Sequence, residues 1–123
     1  MARAPLIAIV DDDDSLRSSL GNLLRSVGLR VQEFPSANAF LSGHDARETA
    51  CLILDVRMPG TNGLELQRHI AVANWRLPIV FITSHTDDDA RSTAVDAGAV
   101  AFLNKPFREQ AILDAIDAAL RME

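Results

Sequence analysis

The sequence is poor in several things that would each have pointed to a different class of protein. One cysteine, Cys51, occurs in 123 residues, so no internal disulfide forms; set in an apolar run, it reads as a small buried hydrophobe. Lys and Arg number 12 against 17 Asp and Glu, for a net charge of -5. They form no basic cluster, so the electrostatic footprint of a nucleic-acid-binding surface is missing. No apolar run is long enough to cross a bilayer. No signal peptide is visible either, because residues 1–5 lead straight into a short strand. Repeats, linkers and low-complexity tracts are also lacking. The expectation is a soluble protein of a reducing compartment, the cytoplasm, with no membrane partner. What remains is 48% hydrophobic, too apolar for a disordered chain. It is long enough for one domain, 1–123, with its own core.

Short apolar runs alternate with segments of helical periodicity. Residues 6–10 read as a continuous apolar strand that ends in four aspartates, Asp11 to Asp14. Leu16, Leu20, Leu23, Leu24 and Val27 then recur at helical spacing, and Gly28 closes that helix. Residues 29–34 read as a second strand. Ser36 caps a second helix with Ala39, Phe40 and Leu41 on its apolar side, and residues 42–45 read as loop. The run 51–54 has no polar alternation, as in a central strand covered on both faces; Met58-Pro59-Gly60 then turns the chain. Residues 63–73 are predicted helical, with Leu64, Leu66, Ile70 and Ala73 apolar and Trp75 covering the helix end. A fourth strand at 79–82 ends at Thr83-Ser84. Thr86 or Asp87 caps a fourth helix that Gly98 ends. This helix has a thin inner face, Ala90, Ala94 and Val95. A fifth strand at 100–103 ends in Asn104-Lys105-Pro106, and a last helix over 107–122 turns Ile112, Leu113, Ile116 and Leu120 inward.

Five strands alternating with five helices predict a three-layer α/β fold with a doubly wound parallel sheet. Right-handed crossovers leave few windings, and the flavodoxin-like order 2-1-3-4-5 is the common one for five strands. All strand carboxyl ends then share one rim. Strand one brings Asp11 and Asp12, strand three Asp55, strand four Thr83 and Ser84, strand five Lys105. Two unit charges about 5 Å apart at an effective dielectric of about 20 repel by roughly 3 kcal/mol. A divalent cation removes that cost, and carboxylate oxygens without a nearby His or Cys pair suit Mg²⁺ better than Zn²⁺. An ammonium and a metal together neutralise a phosphoryl group, and a carboxylate can itself accept one as an acyl phosphate.

Taken singly, these residues have plainer readings. Asp55 alone is a turn aspartate bonded to its own backbone, Lys105 a surface lysine, Thr83 an N-cap, and Phe102 a plain core aromatic, a role that does not exclude a second one as a switch. Asp13 and Asp14 complement the dipole of the first helix, as Asp87, Asp88 and Asp89 do for the fourth. His44 and His69 read as solvated. It is the convergence at one rim that makes a site of Asp11, Asp12 and Asp55.

The segments Ile9-Val10-Asp11-Asp12-Asp13, Leu54-Asp55-Val56-Arg57-Met58-Pro59-Gly60 with Gly63, Phe81-Ile82-Thr83-Ser84, Ala97-Gly98-Ala99 and Lys105-Pro106-Phe107 resemble the receiver domain of two-component response regulators. The resemblance covers the whole chain. Arg57-Met58-Pro59, His85 and Gly98-Ala99-Val100 resemble the FixJ-like subgroup. The resemblance implies that Asp55 accepts phosphate from a phosphohistidine of a sensor histidine kinase. It implies Mg²⁺ (or Mn²⁺) on Asp12, Asp55 and the backbone carbonyl of Arg57, with Asp11 acting through a water molecule. Thr83, Ser84 and Lys105 would hold phosphoryl oxygens. Thr83 would move toward the phosphate, and Phe102 would turn into the space it leaves. Arg57 and His85 would tune the access of water, and the Lys105-Pro106 bond would be cis. The output face would comprise the fourth helix, fifth strand and last helix, pairing two copies on phosphorylation. A domain of this kind catalyses only its own phosphorylation and dephosphorylation.

Two other readings compete. A metal-dependent aspartyl-phosphate phosphohydrolase fits the site chemistry but needs a second acid/base carboxylate two residues after Asp55, where Arg57 stands. A flavin module needs a hydroxyl- and glycine-rich loop after strand one, where aspartates stand instead.

Overall fold

The computed structural model describes residues 3–43, 45–58, 60, 62–84 and 88–122. Expectations for His44, Pro59, His85, Thr86 and Asp87 lie outside the described residues. Three strands, β1 (Leu6–Val10), β3 (Cys51–Asp55) and β4 (Ile79–Thr83), are buried at every position, which is why their sequences lack alternation. The strands β2 (Arg30–Phe34) and β5 (Ala101–Asn104) form the edges and are only partly covered. All pairings are parallel, in the order β2-β1-β3-β4-β5, as expected.

Successive residues of each central strand serve opposite faces. On one face Ile7, Ile9, Ile53, Val80 and Ile82 pack with Leu20 and Leu24 of α1 (Asp14–Ser26) and with Ile112, Ala115, Ile116 and Ala119 of α5 (Glu109–Leu120). On the other, Ala8, Val10, Leu52, Leu54 and Phe81 pack with α2 (Ala37–Leu41), α3 (Gly63–Val72) and α4 (Asp88–Asp96). The inner residues of α2 are Ala37 and Phe40, not the expected run 39–41: Leu41 is exposed. Val95 likewise points outward, at 50% exposure, so α4 rests on Ala90 and Ala94 alone among its buried residues. A buried glutamine on α3, Gln67, supplements this thin contact by donating from Nε2 to the carbonyl of Ala94 at 3.0 Å.

Side-chain caps start α1, α2 and α3. The Asp13 carboxylate accepts from the Leu16 N–H at 3.1 Å, so it caps α1 as well as complementing its dipole. Ser36 caps α2 as expected, and Asn62 caps α3 by accepting from the Glu65 N–H at 2.9 Å. Gly28 and Gly98 follow α1 and α4 at positive φ. The last helix begins at Glu109, two residues later than expected, and a short 3-10 turn (Ala46–Glu48) precedes β3. Trp75 does more than cover the end of α3. It stacks on Phe40 of α2 at 5.7 Å between ring centroids, with the Arg47 guanidinium 4.4 Å from its own.

The turn after β3 depends on Gly63. Its N–H donates to the carbonyl of Val56 at 2.8 Å. A Cβ here would run into the carbonyl oxygen of Asp55 and lie 3.1 Å from both the Asp55 carbonyl carbon and the Phe81 ring. Overpacking of this kind costs about 1–3 kcal/mol. Gly63→Ala is therefore expected to lower the urea midpoint of unfolding by that equivalent; an unchanged midpoint would show that the β3 end yields freely.

Candidate functional site

Strand register brings the site together. Val10 pairs with Leu54, so Asp11 follows β1 beside the end of β3, where Asp55 is the last residue. Asp55 pairs with Ile82, and Thr83 with Asn104, which sets Thr83 and Lys105 on the same rim. The chain leaves β1 and β3 toward opposite faces of the sheet, and such a switch point opens a crevice. Lys105 is anchored through its own backbone, its N–H donating to the carbonyl of Thr83 at 2.6 Å. The Lys105-Pro106 bond is cis.

The carboxylates are held from two sides. One oxygen of Asp11, fully buried, accepts from the Asp13 N–H at 2.9 Å, and the other from the Lys105 ammonium at 2.8 Å. One oxygen of Asp55, also buried, accepts from the Arg57 N–H at 3.2 Å, and the other lies 3.4 Å from the same ammonium. Asp12 is exposed, yet each of Asp11, Asp12 and Asp55 offers an oxygen within 4.8 Å of the others. Burial first, and then the charge of Asp11, push the Asp55 carboxyl up from 3.8 to about 6, against the opposing pull of Lys105 and the Arg57 N–H. Burial alone would lower Lys105, but its bonds and proximity to Asp11 and Asp55 raise it, so it stays a cation. Three carboxylates facing one ammonium leave an excess of negative charge. The donors are oxygens only, and that set fits Mg²⁺ or Mn²⁺.

The remaining expected residues are placed as follows. Thr83 is buried at the end of β4, and Ser84 and Arg57 are exposed. Phe102 reads from the sequence as a core aromatic, a role compatible with that of a switch. It lies in the core, 6.0 Å from the Phe81 ring, and Arg91 of α4 stands 5.8 Å over it; burying an aromatic ring against a second ring and a cation favours that position without phosphate.

Sequence reasoning missed Arg17. From the first turns of α1 its guanidinium donates to the backbone carbonyl of Asp11 at 2.6 Å and pairs with the Asp14 carboxylate. The Asp14–Arg17 spacing of a helical ion pair was visible; the reach back to Asp11 was not. A hollow of about 510 Å³ is lined by Arg76, Leu77, Pro78, Gly98, Val100 and Met122. It sits by the amino ends of β4 and β5, away from the carboxylates.

Comparison with known proteins agrees with this geometry. The family model described as "Response regulator receiver domain" matches residues 7–117, and the chain belongs to that family, the receiver domains of two-component systems. Within it the chain is FixJ-like. The solved structure titled "Crystal structure of FixJ-N" superposes with a TM-score of 0.89 at 36% identity, covering 99% of this chain and 98% of that one. Nodulation protein W of Bradyrhizobium diazoefficiens is 49% identical over 93% of this chain and 50% of its own length. Response regulator protein TodT of Pseudomonas putida is 46% identical over 98% of this chain and 53% of its own. The chain thus spans about half the length of the curated relatives it matches. Nothing in these comparisons supports the phosphohydrolase reading. Among the described residues, no helix is long and apolar enough to cross a membrane.

Proposed function

We propose that this domain takes a phosphoryl group onto Asp55 from the phosphohistidine of a sensor histidine kinase, and that occupancy of Asp55 resets the face formed by α4, β5 and α5. The observation that carries the reading is Lys105, whose ammonium bridges Asp11 and Asp55 where three carboxylates meet.

The Asp55 carboxylate is the nucleophile. Its oxygen bonds to phosphorus as the phosphorus–nitrogen bond of the donor breaks, the imidazole leaves, and an acyl phosphate forms. Asp12, Asp55 and the Arg57 carbonyl would hold Mg²⁺ (or Mn²⁺), with Asp11 acting through a water molecule; the ion would offset the repulsion between carboxylates and incoming phosphate. Lys105 exchanges its carboxylate partners for phosphoryl oxygens, which Thr83 and Ser84 also meet. Arg57 and His85 set how readily water reaches the acyl phosphate. Hydrolysis returns the free carboxylate, so the domain catalyses only its own phosphorylation and dephosphorylation.

Thr83 and Phe102 carry the signal. Phe102 is already packed inside, so phosphorylation stabilises that arrangement relative to one with the ring outside, a shift between existing conformers. The thin inner face of α4 and the exposed Val95 support an output surface there, with a second copy as its partner. Sedimentation with Mg²⁺ and beryllofluoride, an acyl-phosphate mimic, is expected to convert monomer to dimer; monomer alone would refute the pairing. We place the domain, residues 1–123, in the cytoplasm. With a net charge of -5, it binds no nucleic acid itself.

The direct test of the acceptor is incubation with acetyl phosphate and Mg²⁺. Phosphoryl uptake by the wild type and none by Asp55→Asn is the expected result.

A further inference from the structure

We infer that Arg17 is a positioning residue for the metal: it fixes the loop between β1 and α1 so that Asp12 is presented to Asp55. This rests on the assignment of Asp12 and Asp55 as ligands made above.

Four successive carboxylates, Asp11 to Asp14, leave β1 within one turn of backbone. Left to mutual repulsion they would splay. Each is given a different task. Asp11 turns inward to Lys105, Asp13 caps α1, and Asp14 pairs with Arg17. Asp12, the remaining one, is exposed and reaches the cluster. The two ends of the guanidinium span this loop. One holds the backbone carbonyl of Asp11, immediately before Asp12, and the other holds the carboxylate of Asp14, two residues beyond it. The Arg17 side chain is 14% exposed, largely withdrawn from water, and its planar fork suits two fixed acceptors at once. The peptide that orients Asp12 is thereby pinned on both sides.

Charge alone predicts the opposite consequence to positioning. Arg17 is a cation near a cation site, so its removal should tighten metal binding if charge were its only influence. As a positioning residue its loss should weaken binding, because Asp12 then samples orientations away from the site. Partners that orient metal ligands typically contribute about 10–100-fold in affinity.

The experiment uses the full chain and Mn²⁺, with free ion counted by electron paramagnetic resonance. Arg17→Lys keeps the charge but holds one acceptor at a time, and is expected to bind Mn²⁺ severalfold more weakly. Arg17→Met is expected to bind about 10-fold more weakly. Both should recover near-wild-type rates of phosphorylation by acetyl phosphate at saturating metal, so the half-saturating metal concentration moves and the limiting rate does not. Unchanged affinity in Arg17→Lys, with equal or tighter binding in Arg17→Met, would overturn the inference. A purely structural role would lower thermal stability and leave the affinity of the folded protein alone, which also overturns it. If the wild type itself binds no Mn²⁺, the ligand assignment falls first, and that outcome is visible before any variant is compared.

Discussion

Replacing Asp55 by Asn is expected to stabilise the metal-free protein at neutral pH while abolishing its phosphorylation. The folded protein raises the Asp55 carboxyl from 3.8 to about 6, through burial and then the charge of Asp11. A carboxyl raised on folding binds its proton more tightly in the folded state. Its favourable contribution is therefore complete below about pH 3.8 and is lost as pH climbs through about 6. At pH 7 the ionised group opposes folding by up to roughly 3 kcal/mol, less what solvent screening recovers. Asparagine carries no charge and escapes that cost. The variant should unfold at higher denaturant than the wild type at pH 7, and the two midpoints should converge by pH 4. Mg²⁺ should narrow the gap at pH 7, because it stabilises the wild type more than the variant. Equal stability across the pH range would show that Asp55 is solvated well enough to ionise at its ordinary pKa.

Replacing Lys105 by Met should act with the opposite sign on stability and separate metal binding from phosphoryl transfer. The ammonium is the shared counterion of Asp11 and Asp55, at 2.8 and 3.4 Å. Without it two buried carboxylates face each other. Breaking a buried pair at one partner costs on the order of 3 kcal/mol. Lys105 also holds the Asp55 carboxyl down, so in the variant Asp55 keeps its proton to higher pH, and the loss should be small in acid and grow as pH rises through and beyond about 6. The metal has one fewer cation to oppose it, so Mg²⁺ affinity should rise severalfold and recover much of the lost stability. Phosphorylation by acetyl phosphate at saturating Mg²⁺ should nonetheless be slow, because no metal ligand replaces a donor aimed at the phosphoryl oxygens. Weaker Mg²⁺ binding with an unchanged rate would reverse the assignment of Lys105.

The fold was readable wherever one residue type dominated an element. The unbroken apolar runs of β1, β3 and β4 have few structural solutions besides central parallel strands, and once their order was settled the rim residues followed from parallel geometry. Thus Asp11, Asp55, Thr83 and Lys105 were placed correctly from spacing and topology. Features that depend on contacts between distant elements were not readable. Leu41 and Val95 look like inner residues on hydrophobicity, but helix phase turns them outward while Ala37, Ala90 and Ala94 approach the sheet. Trp75 lies next to α3 in sequence, but its ring stacks on Phe40 of α2. The Asn62 cap is a short-range signal that was overlooked among the turn residues before Gly63. Arg17 reads as one more charged helix residue until the chain is folded back on Asp11. Phe102 lies in the core, as its plainer sequence reading has it. Which side of the sheet edge the ring occupies is decided by Phe81 and Arg91.

The function of the domain turns on the chemistry of one carboxylate, Asp55. Intact-mass and peptide mass spectrometry after treatment with acetyl phosphate should find one phosphoryl adduct in the wild type, on the peptide carrying Asp55. The adduct should require Mg²⁺ or Mn²⁺ and be absent from Asp55→Asn. An adduct that persists in Asp55→Asn, or forms equally well with the metal chelated, would contradict this mechanism.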